Sequence, residues 1–310
     1  MLVTGATGFI GTRLCERLAG AGCEVHGLSR CEGVRTETSM KWHTGDLADS
    51  EVVDALVSSL APDTVFHLAS EVTGKSGHEL VSPMLQSNLL GTVNLLAAVQ
   101  DAGCRRMVAT GTVVEPREDE PASSPYAAAK SAATAQARMF HSLYGTPVVC
   151  LRLGMVYGPG QPDPNKLIPH TIESLLRGES PQISSGRWEV DWVYVDDVVE
   201  ALVRAAVADD VEGETLDVGS GQVASVRDVV EHLADAIDSA LRPSFGAVED
   251  RAPEPSIPLE LDRTRKSLGW SPATGLPDGL KQTVSWYRKR LSLALMGLAP
   301  TADALWACPL

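Results

Sequence analysis

The strongest constraint on the fold is a glycine-rich stretch near the N-terminus, Thr4-Gly5-Ala6-Thr7-Gly8-Phe9-Ile10-Gly11. The apolar pair Leu2-Val3 before it indicates the end of a strand, and Ile10, Leu14 and Leu18 after it recur as the buried stripe of a helix. At such a junction glycines allow a tight turn, close approach of a pyrophosphate to the helix N-terminus and packing of the helix on the sheet. An ordinary glycine-rich turn would explain the glycines alone, but the strand before them and the helix after them favour a phosphate-binding loop.

Composition limits the classes of partner. The chain has 310 residues, 44% hydrophobic and 21% charged, with a net charge of −14. This predicts a globular protein with no nucleic-acid partner, in which an anionic substrate needs local arginines or lysines. The six cysteines are scattered without metal-binding spacing, so we predict no metal site. No signal peptide is visible, and the apolar segment 291–310 is interrupted by Pro300, Asp303 and Pro309, so we expect a cytoplasmic protein with no membrane partner.

Strand and helix patterns alternate through the first half of the chain, which predicts an α/β fold with a doubly wound parallel sheet. After Gly158-Pro159-Gly160 the loops lengthen and prolines accumulate. We therefore predict a dinucleotide-binding domain over 1–160, a smaller C-terminal α/β substrate lobe over 161–290 and an unassigned tail over 291–310. Some segments of the lobe are expected to return to the sheet. The long helix expected over 83–102 and the alanine-rich helix after Ser124 are candidates for a homodimer interface.

The chemistry is predicted on the alanine-rich helix, in Tyr126-Ala127-Ala128-Ala129-Lys130. Ser124 is placed to cap this helix and Pro125 to occupy its first position. Four-residue spacing puts Tyr126 and Lys130 on one face, one turn apart. A nearby ammonium lowers the pKa of a phenol from about 10, so the phenol can exchange a proton with an alcohol or carbonyl.

Several segments together resemble the extended short-chain dehydrogenase/reductase family. They are TGATGFIG, Asp46 in Gly-Asp-Leu, His67-Leu68-Ala69-Ser70, Asn88-Leu89-Leu90-Gly91-Thr92 and YAAAK. Residues 151–160, 190–201 and 268–272 are similar to the nucleotide-sugar epimerase and dehydratase branch of that family. The resemblance extends to about Tyr287.

The resemblance implies a Rossmann domain that binds NAD(P), with Lys130 on the nicotinamide ribose and Tyr126 as the acid and base. Asp46 would lie by the adenine and residues 67–70 along the cofactor cleft. The alternative explanations are a turn residue for Asp46 and a polar helix residue for Asn88. The predicted cofactor-binding residues are Gly5, Thr7, Gly8, Phe9, Ile10, Gly11, Arg30, Asp46, Leu47, Leu68, Ala69, Ser70, Asn88 and Lys130.

The family's third catalytic residue is a Ser or Thr after the fifth strand. Thr112 is favoured because Gly111-Thr112 matches a Gly-Ser variant of the pattern, and Thr110 is the alternative. Dehydratases of the family carry an Asp-Glu pair directly after this position, where this chain has Val113-Val114. The sequence therefore predicts no dehydration.

The coenzyme is predicted from Ser29-Arg30 at the end of the second strand. An acidic residue there would bind the ribose of NAD, whereas an arginine suits a 2′-phosphate, so we expect NADP, with NAD possible.

A nucleotide-sugar diphosphate needs cations, for which Arg187, Arg251, Lys166 and Asn165 are the candidates. Two positions depart from the family pattern: Val190 replaces the usual Arg, and Met155 replaces the usual Asn. We expect an oxidoreductase on a nucleotide-activated sugar, with 4-ketoreduction as the first hypothesis. The alternatives are a nucleotide-sugar 4-epimerase, a reductase of a non-sugar ketone and a non-catalytic NADP-binding regulator.

Overall fold

The fold is built on one parallel sheet of seven strands. The computed structural model describes residues 1–31, 40–116, 119–250 and 259–296. The strand order is β10-β6-β5-β4-β1-β2-β3, and each neighbouring pair is parallel. This confirms the predicted α/β class. The strands of this sheet are β1 (Leu2–Thr4), β2 (His26–Ser29), β3 (Lys41–Thr44), β4 (Thr64–His67), β5 (Arg106–Thr112), β6 (Val148–Leu153) and β10 (Thr215–Val218).

Helices cover both faces of the sheet, as a doubly wound fold requires. Leu14 of the first helix packs in one apolar cluster with Leu202 of the seventh, while Val57 and Leu96 pack in another with Ala137. No helix in the described ranges is long and apolar enough to cross a membrane. The helices are α1 (Phe9–Gly20), α2 (Ser50–Leu60), α3 (Val81–Met84), α4 (Gly91–Ala102), α5 (Pro125–Tyr144), α6 (Leu167–Leu176), α7 (Val195–Val207), α8 (Val226–Ile237), α9 (Leu261–Leu268) and α10 (Leu276–Leu295).

The helix predicted over 83–102 is one helical run with an irregular turn. A 3₁₀ turn at His78–Leu80 leads into α3, a π-helical turn follows at Leu85–Leu90, and α4 completes the run. π-Turns inside helices are uncommon and concentrate at functional sites. Here the turn carries Asn88.

Helix α5 begins and ends where its sequence indicates. The Ser124 hydroxyl accepts a hydrogen bond from the backbone N–H of Ala127 at 3.2 Å, and Pro125 is the first residue of the helix. Gly145 ends the helix in the left-handed conformation, with φ of 72°. The buried alanines bring the helix close to the sheet, which fixes the height of its first turn above β5.

In the part of the lobe that the structure describes there are two small sheets, β11-β9-β7 and β12-β8, covered by α6, α8 and α10. Strand β7 precedes residue 160 and belongs to the lobe's sheet, whereas β10 follows it and joins the large sheet. The predicted domain boundary itself stays a prediction. The strands of the lobe are β7 (Met155–Tyr157), β8 (Gln182–Ile183), β9 (Glu189–Tyr194), β11 (Val223–Ser225) and β12 (Ser244–Phe245).

Candidate active site

The glycine-rich loop lies between β1 and the N-terminus of α1, against the loop that follows β4. Gly5 has a φ of 68°, and a Cβ there would lie 2.6 Å from the amide nitrogen of Ala69. Gly8 precedes α1 and its N–H donates to the Gly5 carbonyl at 2.9 Å. In this helix, all of which is described, the first turn carries no acidic residue and no side chain caps it. The helix N-terminus is therefore open to an anion, and the backbone cradle fits the pyrophosphate of a dinucleotide.

The remaining predicted cofactor residues follow the same edge of the sheet. Arg30 is exposed directly after β2, and Asp46 is exposed after β3, where its carboxylate accepts from the N–H of Ala48 at 2.9 Å. Leu47 is buried in the core, and its carbonyl accepts from Asn94 at 2.9 Å. The others are half-buried around the two loops: Thr7, Phe9, Ile10, Leu68, Ala69 and Ser70, with Gly11 buried in α1. Their contacts with a cofactor stay predictions.

Asn88 binds the loop after β4 through side-chain hydrogen bonds. Its Nδ2 donates to the carbonyl of Glu71 at 2.9 Å, and its Oδ1 accepts from the Glu71 N–H at 2.8 Å and from the Ser70 hydroxyl at 3.3 Å. The side chain is buried in the π-helical turn. Asn88 thus fixes the loop after β4, and its direct contact with a cofactor stays a prediction.

His67 joins three elements through a directed chain of hydrogen bonds. Its Nδ1 lies 2.8 Å from the hydroxyl of Thr4, and its Nε2 lies 2.9 Å from the hydroxyl of Thr92. Because Thr92 donates to the carbonyl of Asn88 at 2.8 Å, we assign the ring proton to Nε2 and a donated bond from Thr4 to Nδ1. Burial, and next the charge of Lys130, lower the pKa of His67 to about 3, so the ring is neutral.

Tyr126 and Lys130 lie in the first turns of α5, at the carboxyl ends of the large sheet's strands. Tyr126 is half-buried and packs against the apolar cluster of the smaller lobe, so it lies between the large sheet and the smaller lobe. Lys130 is buried, and its ammonium donates to the carbonyl of Thr110. Burial lowers the pKa of Lys130, and the nearby carboxylate of Glu115 opposes that shift. A buried ammonium and a phenol on one helix face form a pair suited to proton exchange.

The two candidate threonines have different hydrogen bonds. The Thr110 hydroxyl donates to the carbonyl of His67 at 3.1 Å, so its proton is engaged within the sheet. In the part of the chain that the structure describes, the Thr112 hydroxyl accepts a long bond of 3.5 Å from the Val114 N–H and donates none. Thr112 is therefore the one with a donor available to a substrate oxygen.

The turn after Thr112 is apolar. Val113 and Val114, at the positions where the family resemblance predicts an Asp-Glu pair for a dehydratase, are buried in the cluster of the smaller lobe. Sequence reasoning did not single out Glu115, which is buried directly after them. A glutamate next to the predicted catalytic segment was its only available signal.

The predicted substrate residues are placed at the surface of the smaller lobe. Arg187 is largely exposed and its Nη2 lies 3.2 Å from Oδ2 of Asp250. The Asn165 side chain donates to Asp163 at 3.1 Å, and Lys166 directly precedes α6. Their contacts with a substrate stay predictions, and Arg251 lies outside the described residues.

Two of the later segments that resemble the family, 190–201 and 268–272, are joined by a hydrogen bond. The indole N–H of Trp270 donates to the carbonyl of Asp197 at 3.0 Å, and the Asp197 carboxylate accepts from the N–H of Thr274 at 2.9 Å. The two positions that depart from the family pattern lie in the lobe's sheet. Val190 is buried in β9 beside β11, and Met155 of β7 pairs with Trp192 of β9.

Comparison with known proteins gives consistent matches. The model of the NAD dependent epimerase/dehydratase family matches residues 1–219. The UDP-glucose 4-epimerase of Mycolicibacterium smegmatis is 32% identical over 93% of this chain and 98% of its own length. The dTDP-glucose 4,6-dehydratase of Xanthomonas campestris pv. campestris is 30% identical over 92% of each chain. Among solved structures, MoeE5 in complex with UDP-glucose and NAD is 30% identical, has a TM-score of 0.83 and covers 94% of this chain and 99% of its own. The similarities to these relatives extend over both the large sheet and the smaller lobe.

Proposed function

Since the chain belongs to the NAD-dependent epimerase/dehydratase family of extended short-chain dehydrogenases/reductases, we propose that it moves hydride to and from C4 of a nucleotide-activated sugar. It is an NAD-dependent enzyme with a Rossmann fold, as its relatives are. The observation that carries the proposal is the buried Lys130, one helical turn from Tyr126 at the edge where the glycine-rich loop lies. The first candidate activity is 4-epimerisation.

Each side chain has a role that its surroundings support. Bound NAD supplies the acceptor and donor of hydride. Tyr126 exchanges a proton with the sugar oxygen, and Thr112 donates to that oxygen through its available hydroxyl. Lys130 binds the nicotinamide ribose and favours the phenolate of Tyr126. Gly5 and Gly8 let the backbone approach the pyrophosphate.

The buried Val113-Val114 pair supports a reaction without water elimination. Removal of water requires an acid and a base beside the sugar, and two valines in an apolar cluster supply neither. We therefore expect no dehydratase activity, although a dehydratase is among the relatives.

Net 4-ketoreduction is the second candidate, and Arg30 favours it. A guanidinium at the end of β2 suits the 2′-phosphate of NADP, and an exchangeable NADPH belongs to a reductase rather than to an epimerase, which retains its NAD. Arg30→Ala is the matched test: it should weaken NADPH binding at least tenfold and change NADH binding less than threefold. Equal effects on both would contradict this role of Arg30.

The decisive experiment starts from the purified protein. Its cofactor is released by acid and identified, and UDP-glucose and dTDP-glucose are then followed for 4-epimer formation and for dehydration. NADPH and NADH oxidation is measured with the 4-keto sugar nucleotides. Tightly held NAD with epimer formation supports the epimerase, and turnover of NADPH supports the reductase. Tyr126→Phe is the control and should abolish either activity; turnover retained in this variant would contradict the proposal.

Thermal shift with UDP, dTDP and GDP tests the substrate class. A rise in Tm with one of them supports a nucleotide sugar, and no response to any supports the non-sugar ketone suggested by Val190 and Met155.

We further propose a homodimer through α3, α4 and α5, because Leu85, Leu143 and Tyr144 expose 43%, 66% and 54% of their surface. Light scattering of the eluted protein tests it, and a monomer would refute it.

A further inference from the structure

Glu115, in the turn after β5, is a buried carboxylate with only 6% of its surface exposed. Its Oε1 accepts a hydrogen bond from the backbone N–H of Thr112 at 2.8 Å and another from the hydroxyl of Thr134 at 3.2 Å. Glutamates are almost never buried to this extent unless their charge is compensated. Burial raises the pKa of the Glu115 carboxyl, whereas the hydrogen bond from Thr112 and the charge of Lys130 oppose that rise.

Gly111 leaves the space in which the carboxylate sits. A Cβ at this position would lie 2.5 Å from Oε1 of Glu115 and 3.3 Å from the hydroxyl of Thr134. Thr134 follows Lys130 by four residues in α5, so both side chains lie on the same face of the helix. Glu115 thus joins the end of β5 to the part of α5 that carries Lys130.

Lys130 is the buried cation near this carboxylate. Its ammonium donates to the carbonyl of Thr110, a neutral group, so its charge needs an anion elsewhere. From β4 it is faced by His67, from β6 by Cys150 and from the turn after β5 by Glu115. Burial lowers the pKa of His67 to about 3 and raises the pKa of Cys150 to about 12, so neither is charged near neutral pH.

The other charged side chain that faces Glu115 is already paired. Arg152 of β6 binds Asp217 at 2.7 Å, and this carboxylate is buried. Lys130 and Glu115 are therefore left as the mutually compensating charges in this part of the described chain. Each of the two favours the charged form of the other against the effect of burial.

We propose that Glu115 is the buried counter-ion of Lys130 and the anchor of the Thr112 backbone, and so a positioning residue for the Tyr126–Lys130 site. The inference rests on the function proposed above for Lys130. In this arrangement Glu115 keeps Lys130 charged at the pH of catalysis, because the carboxylate raises the pKa of an ammonium that burial alone lowers.

Glu115→Gln tests this role, because the amide keeps the acceptor for Thr112 and Thr134 but removes the charge. Glu120→Gln is the matched control, since Glu120 is exposed five residues further along the chain. NADH fluorescence titrations from pH 6.5 to 10 report where Lys130 loses its proton. We expect binding to weaken at a pH about 1 unit lower in Glu115→Gln than in the wild type and the control. The alkaline limb of kcat should shift equally, with KM changed less than threefold.

Superimposed pH curves for Glu115→Gln and the wild type would overturn the inference. A wild type that binds no dinucleotide would instead refute the proposed function, and a stability cycle then tests Glu115 alone. Lys130→Met leaves the carboxylate uncompensated, so adding Glu115→Gln should raise its Tm. The same double variant should fold even where Glu115→Gln alone does not. A double variant less stable than both single variants would overturn the counter-ion role.

Discussion

Thr112→Val separates the two threonines that could hold the substrate oxygen. The Thr112 hydroxyl has a proton to donate, whereas the Thr110 hydroxyl donates to the His67 carbonyl at 3.1 Å. We expect Thr112→Val to lower kcat by a factor of about 10²–10³, the effect of removing one preorganised donor from a developing charge. Because the lost contact strengthens only in the transition state, kcat/KM should fall by the same factor.

Thr110→Val is the matched control, with the same change of side chain two residues earlier. It removes one hydrogen bond within the sheet, which costs about 1 kcal/mol of the free energy of unfolding. In a chain of 310 residues that lowers Tm by about 1–2 °C, because the entropy of unfolding is about 2.1 cal/mol/K per residue. Its kcat should stay within threefold of the wild type, and Thr112→Ser should recover most of the activity lost in Thr112→Val.

The assay is steady-state turnover of the nucleotide sugar found active with the wild type, together with calorimetric Tm for each variant. The reasoning is refuted if Thr110→Val loses a hundredfold in kcat while Thr112→Val stays within threefold. Equal losses in both variants with equal falls in Tm would show that the strand end, rather than one hydroxyl, determines activity.

Three further predictions concern the glycine-rich loop, the loop after β4 and the buried His67. Gly5→Ala should weaken NADH binding at least tenfold. Its Cβ would lie 2.6 Å from the amide of Ala69, and the φ of 68° costs a residue with a Cβ about 1–2 kcal/mol. Wild-type affinity by fluorescence titration would contradict this. Asn88→Ala removes both hydrogen bonds to Glu71, so NADH affinity should fall about tenfold, and an unchanged Kd would show that the loop holds itself. His67 has its pKa lowered from 6.5 to about 3 in the folded chain, so the unfolded state binds more protons between these values and stability falls as pH drops through this window. In urea unfolding, the contribution of His67 to the free energy of unfolding should be about 2 kcal/mol lower at pH 5 than at pH 7. This difference should be missing in His67→Gln, and parallel pH curves for the wild type and this variant would refute the prediction.

Local signals predicted the parts of the fold that local physics determines. The glycine-rich loop, the capped start of α5 at Ser124 and the stripe of Leu14 and Leu18 each depend on residues within two turns of one another. These elements lie where the sequence places them. The resemblance to a known family added the order of the parts, which periodicity alone does not give.

Contacts between distant segments could not be predicted in this way. From the sequence, Asn88 is a polar residue in a helix. Its hydrogen bonds to the Glu71 backbone depend on a π-turn that no residue pattern predicts. Glu115 reads as a loop glutamate, and its burial depends on the space left by Gly111 and on Thr134 from α5. Such roles arise only when the sheet brings the segments together.

The net charge of −14 does not exclude an anionic substrate, although the candidate arginine of the smaller lobe is already paired. Arg187 and Asp250 form an ion pair at 3.2 Å with side chains 82% and 44% exposed. Exposed pairs of this kind contribute little to the stability of a protein. A diphosphate carries more charge than one carboxylate and accepts a guanidinium through two oxygens, so it can take Arg187 from Asp250 at little cost. Val190, buried in β9, cannot supply that charge. The difference in cation position between this chain and the family pattern is therefore where its substrate preference should be sought.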